Sequence, residues 1–132
     1  VTSPTIRLLP NKGAINTCAV RHVIVVGRNA DRGQQTVAEI RVTGGKADFI
    51  QSDLKDGTSA RDVAQKAIEI GNGHVDILVN NAGIFPFGPT HETTEETFDS
   101  VYSLNVKAPY LLVAELAPLM VAISRRWWRI ME

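Results

Sequence analysis

From His22 onward the chain alternates between short apolar runs and amphipathic stretches, and the period switches between them at regular intervals. "HVIVVGR" is rich in β-branched residues and predicts a buried strand over 22–27. Asp31 with Gln34 three residues on has the form of a capping box, and Val37, Ala38 and Ile40 draw a helical stripe that Gly44-Gly45 closes. "ADFIQSD" predicts a second short strand, roughly 47–52. Ser59 and Asp62 open another helix, with Val63, Ala64, Ala67 and Ile68 on one face, and "GNG" stops it. A third strand is expected over 75–79. Thr93 with Glu96 then starts a helical pattern through Phe98, Val101 and Tyr102 to about Val121.

Strands and helices in strict alternation, joined by short Gly-rich connections, imply parallel strands linked by right-handed crossovers. The strands are uniformly apolar, as required when helices cover both faces of a sheet. The expected class is therefore α/β, a doubly wound parallel sheet of Rossmann type. In such sheets ligands lie beyond the carboxyl ends of the strands. Here those ends are Gly27-Arg28-Asn29, Ser52-Asp53 and Asn80-Asn81-Ala82-Gly83, all small, polar or charged. A strand as apolar as "VDILV" runs into two asparagines either because a loop happens to begin there or because it ends at a site, and the shared polar character of the three strand ends favours a site.

Composition narrows the partners. At 132 residues the chain is one domain at most, and 44% apolar with 21% charged residues is ordinary for a globular protein. A formal net charge of +0 gives no bulk electrostatic case for nucleic acid or anionic membrane. Cys18 is alone, which excludes an internal disulfide and fits a reducing, cytoplasmic compartment. No apolar run has the length of a membrane span. His22, His74 and His91 show no metal-ligand spacing and read as surface or strand-edge residues, so no metal is expected. Glu92, Glu95 and Glu96 read as helix-start charges.

"VIVVGRN", "FIQSDL", "VDILVNNAG" and "FDSVYSLNVKAPYLL", four motifs in this order along the chain, resemble the short-chain dehydrogenase/reductase family over about residues 22–121. The resemblance implies NAD(P)-linked hydride transfer between a small-molecule carbonyl and an alcohol. Carried over residue by residue, Asn80 would tie neighbouring strands and line the adenosine side of a dinucleotide. Ala82 and Gly83 would let backbone pass close to the ribose, and Asp53 would accept from the adenine amino group. Gly27 stands where NAD-preferring members tend to carry an acid. Arg28 beside it suits the 2′-phosphate of NADP, so NADP is expected over NAD, although a solvated charge at a helix entry explains Arg28 as well. Asn105 matches the family's proton-relay Asn. Independently, Pro109 has no N–H to give the Asn105 carbonyl and its ring clashes with it, which predicts a kinked helix there. An ordinary kink with a packed Asn is the alternative. The helix over 95–121 is where relatives often pair, implying a homo-oligomer.

The family's chemistry needs Tyr-x-x-x-Lys and a Ser, and no Tyr-x-x-x-Lys occurs in the chain. Residues 1–21 hold no Gly-x-x-x-Gly-x-Gly, and 122–132, "AISRRWWRIME", do not read as a fifth strand. Trp-Trp-Arg read one nucleotide on becomes Gly-Gly followed by Val, Ala, Asp, Glu or Gly, and a Gly-Gly-small entry is what the resemblance implies for that strand. The chain thus reads as a single partial domain over 1–132 with atypical termini at 1–21 and 122–132, truncated or frame-altered and catalytically impaired. The alternative is a non-enzymatic nucleotide-binding or dimerising remnant. The first strand is expected upstream of Val1. Either "TIRLL", residues 5–9, fills its place or two apolar edges stay open, with a marginal or associated product as the expected consequence.

Overall fold

The computed structural model describes residues 4–8 and 22–128, arranged around a four-stranded parallel sheet of order β3-β2-β1-β4. The strands are β1 Pro4–Leu8, β2 His22–Gly27, β3 Lys46–Gln51 and β4 Ile77–Val79. Helix α1, Ala30–Val42, links β2 to β3, and α2, Gly57–Ile70, links β3 to β4. After β4 come a 3-10 turn at Thr90–Glu92, α3 over Glu95–Tyr102, a π turn at Ser103–Lys107 and α4 over Ala108–Trp128. The expectations placed on 9–21 and 129–132, including Cys18 and the Gly-rich turn, lie outside the described residues.

β2 shows why its run is apolar throughout. Val23 and Val25 join Val37 and Ile40 of α1 on one face, while Ile24 and Val26 join Val63, Ala67, Leu112 and Leu116 of α2 and α4 on the other. Each of these fully buried Val, Leu or Ile side chains contributes about 1.5–3 kcal/mol relative to exposure. The doubly wound α/β expectation holds.

The centre of the sheet corrects one expectation. The strand expected upstream of Val1 is instead Pro4–Leu8, pairing with β2 from Pro4↔His22 to Leu8↔Val26 and with β4 from Thr5↔Ile77 to Arg7↔Val79. Of the two outcomes foreseen for "TIRLL", this is recruitment, shifted by one residue. Pro4 is tolerated because a proline at the first residue of a strand removes no essential ladder donor. β4 is shorter than the 75–79 expected, since β1 pairs only with Ile77–Val79, yet Val75 is fully buried all the same. The last helix runs on to Trp128, past Val121, through a stretch free of Gly and Pro.

Helix starts differ in detail. The caps are Asn29, Asp56 and Thr94, whose side chains accept from the backbone N–H of Arg32, Ser59 and Thr97. Asn29 and Asp56 lie two and three positions before the expected Asp31 and Ser59, and Thr94 lies one after the expected Thr93, because a cap needs extended backbone, which these three have, and neighbouring Ser, Thr and Asp look alike in sequence. His22 is a further correction. It is 5% exposed, not a surface residue, and its Nε2 lies 2.5 Å from Asp48 Oδ2 on β3.

Candidate cofactor site

The turn after β2 is pinned from several sides. Ser52 N–H donates to the Gly27 carbonyl at 3.0 Å, and Gln51 Nε2 donates to the Arg28 carbonyl at 3.1 Å. Asn29 caps α1 at 2.8 Å, and its own carbonyl accepts from Gly33 N–H at 3.0 Å. Helix α1 can sit this close to the sheet because Gly33 has no Cβ: one placed there would lie 2.1 Å from the Phe49 ring. Arg28 itself is exposed, and among the described residues its guanidinium has no ion-pair partner.

At the end of β3, Asp53 is also exposed and lies 3.5 Å from Lys55 Nζ, a surface contact worth little. Asp56 follows as the cap of α2. Its pKa is held below the ordinary 3.8, first by the Ser59 backbone N–H and then by the Ser59 hydroxyl, with Lys107 adding a weaker pull.

The β4 end is organised by Asn105. Its Oδ1 accepts from Ile84 N–H at 2.9 Å and its Nδ2 donates to the Ile84 carbonyl at 2.8 Å, so one amide satisfies both backbone groups as a neighbouring strand would. Gly83 leaves room for this grip, since a Cβ there would stand 3.3 Å from Asn105 Oδ1. Asn105 sits in the π turn, where Ala108 N–H reaches back five residues to the Ser103 carbonyl. Such single-turn bulges arise where the regular ladder is interrupted, and Pro109, two residues past the turn, supplies no N–H. The helix disturbance expected at Asn105 is therefore present as a π turn, and its side chain does more than pack.

Three strand ends meet in one cleft of about 70 Å³ lined by Gly27, Arg28, Asp53, Ala82, Gly83 and Ile84, among others. Of the sequence-predicted residues, Arg28, Asp53, Ala82 and Gly83 line it, and Asn105 supports it through Ile84. Asn80 does not line it, and its side chain makes no hydrogen bond to another described residue. The cleft is open to solvent on one side, and its volume equals about two waters. A second, wider concavity of about 490 Å³ lies beyond Ile84, between Phe85-Pro86 and the α3 residues Glu96, Thr97 and Ser100. Ile84 lines both.

The family model described as short chain dehydrogenase matches residues 18–131. The chain belongs to the short-chain dehydrogenase family. It is 45% identical over 82 residues, 62% of its length, to an uncharacterized oxidoreductase of Thermotoga maritima, of which the match spans 32%. A metagenomic short-chain oxidoreductase solved in complex with NADP superposes with a TM-score of 0.80 at 25% identity, over 92% of this chain and 57% of that one. A short-chain dehydrogenase from Burkholderia cenocepacia, also solved with NADP, gives 0.70 at 33% identity over 75% and 40%. The chain spans about a third of the length of the curated relatives it matches.

Sequence reasoning about this family member missed Gln51 and Ile84. Ile84 carried a signal, because it directly follows the small residues Ala82-Gly83 and precedes two exposed phenylalanines, Phe85 and Phe87. Gln51 carried none, since nothing local marks a strand-end glutamine as the partner of a turn 23 residues away.

Proposed function

We propose that this chain forms the central part of an NADP-linked short-chain dehydrogenase, which moves a hydride between a small carbonyl or alcohol substrate and a nicotinamide cofactor. The observation that carries the reading is the convergence of Arg28, Asp53, Ala82 and Gly83, from three strand ends, on one cleft. Arg28 would hold the 2′-phosphate as a bidentate cation, and the exposed Asp53 carboxylate would accept from the adenine amino group. Ala82 and Gly83 would admit the ribose. The bound dinucleotide supplies or takes up the hydride. This chain's own residues hold it, and Asn105 fixes the Ile84 wall that separates it from the wider concavity. By the family resemblance, Asn105 also belongs to a proton relay.

Lacking Tyr-x-x-x-Lys, the 132 residues by themselves bind without turnover. Titrating NADPH and NADH against the wild type and Arg28→Ala tests the reading. Tighter NADPH binding that Arg28→Ala abolishes supports it, and equal affinities in both proteins remove Arg28 from the site. NADPH oxidation with a ketone by the purified chain would overturn the claim of impairment.

One observation favours a second, non-enzymatic role as an oligomer-forming module. Phe98, Tyr102, Val106, Tyr110 and Val113 recur every three to four residues along α3, the π turn and α4, and are 46–72% exposed. Such a stripe suits a second copy of the chain. Tyr102→Glu with Tyr110→Glu is expected to lower the sedimentation-derived mass. A wild-type monomer at all concentrations would sink this role.

A further inference from the structure

Arg28 lies between two peptide planes, and consecutive residues at the end of β3 hold both. The Gly27 carbonyl before it accepts from Ser52 N–H at 3.0 Å, and the Arg28 carbonyl after it accepts from Gln51 Nε2 at 3.1 Å. Fixing both planes fixes φ and ψ of Arg28, and with them the direction of its Cα–Cβ bond. Beyond Arg28 the chain is held again, because Asn29 is locked as the cap of α1. The Ser52 contact is backbone to backbone and so independent of side-chain identity. The Gln51 contact is made by a side chain that is itself exposed, on a strand residue in register with Gly27. Water could satisfy the Arg28 carbonyl equally well, and an exposed Gln loses rotamer freedom by reaching it. The gain lies in holding the peptide plane rather than in satisfying the acceptor.

Building on the assignment of Arg28 above, we infer that Gln51 is a positioning residue for phosphate discrimination: its amide fixes the base from which the Arg28 guanidinium reaches the 2′-phosphate. A long cation on a fixed base loses less freedom on binding than one on a mobile turn, so Gln51 favours the phosphorylated ligand without touching it. Its effect falls on the ratio of affinities for ligands with and without that phosphate, and leaves what they share unchanged.

The test uses adenosine 2′,5′-bisphosphate and adenosine 5′-monophosphate, which differ only in the 2′-phosphate, titrated into the ¹⁵N-labelled chain and followed by amide shifts. Wild type, Arg28→Met, Gln51→Met and Gln51→Thr are compared. Met keeps the length of Gln without the donor, and Thr suits a strand but is too short to reach. The expected result is that wild type prefers the bisphosphate and Arg28→Met abolishes the preference. Both Gln51 variants then lower it by roughly 2–10-fold, the span of one net hydrogen bond, with affinity for the monophosphate unchanged. Gln51 variants that keep the full preference while Arg28→Met loses it overturn the inference and leave the Arg28 assignment standing. Equal weakening of both ligands assigns Gln51 a merely structural role and overturns it too. No preference in the wild type removes the Arg28 assignment, and Gln51 with it.

Discussion

Replacing Asn105 by alanine removes both hydrogen bonds that hold Ile84, at 2.9 Å and 2.8 Å. Each intramolecular hydrogen bond contributes a net ~0.5–1.5 kcal/mol. Asn105 is exposed and Ile84 half-buried, so water can replace part of the loss, and the expected destabilisation is about 1–2 kcal/mol. It should show as a lower urea midpoint at unchanged slope, together with faster amide exchange at Ile84. Asn105→Asp keeps the acceptor for Ile84 N–H but turns an oxygen toward the Ile84 carbonyl, and should cost at least as much at neutral pH. Gly83 supplies a control. A Cβ there presses on Asn105 Oδ1 at 3.3 Å, and an amide held at both ends cannot retreat without lengthening a bond. Gly83→Ala should therefore be costly alone and mild beside Asn105→Ala, giving a coupling of ~0.5–1 kcal/mol in the double-mutant cycle. Additive single mutants, with Ile84 exchange unchanged in Asn105→Ala, would show that the amide grip does not hold the loop.

Two further outcomes are expected of stability. Gly33→Ala places a methyl 2.1 Å from the Phe49 ring, so it should destabilise by about 1–3 kcal/mol even though alanine is the better helix former by ~1 kcal/mol; a urea midpoint at or above wild type would contradict this. Asp56 has a folded pKa below its ordinary 3.8, so its contribution is fully present above that value and is lost as pH falls through the lower folded value. Melting temperatures from pH 7 downward should drop more steeply in wild type than in Asp56→Asn, which keeps a capping oxygen without the charge, and parallel curves would rule out this role.

The layers of the fold were legible because β-branched runs and helical stripes are repeated physical signals. In β2 every residue from Val23 to Val26 is buried, so either face of the strand reports the same answer. The strand ends were legible for a similar reason: where Val26 and Val79 give way to Gly, Arg or Asn, the apolar run stops and a polar rim begins. What escaped depended on partners distant in sequence. The recruitment of Pro4–Leu8 to the sheet centre was foreseen only as one of two outcomes, because it follows from the pairing needs of β2 and β4 rather than from its own pattern. Buried His22 looks like an edge residue until Asp48, 26 positions on, is seen beside it. The Asn105 disturbance was foreseeable from Pro109, a local steric fact, whereas the grip on Ile84 required the two segments to be brought together.

Whether the ends of β2, β3 and β4 together bind a dinucleotide, as proposed, is tested most directly by amide mapping of NADP⁺ on the ¹⁵N-labelled chain. The largest shifts should fall together, with a single affinity, on Gly27-Arg28, Ser52-Asp53 and Ala82-Gly83-Ile84, the segments that line the cleft. Shifts confined to Phe85, Thr97 and Ser100 around the wider concavity, or no saturable shift at all, would contradict it.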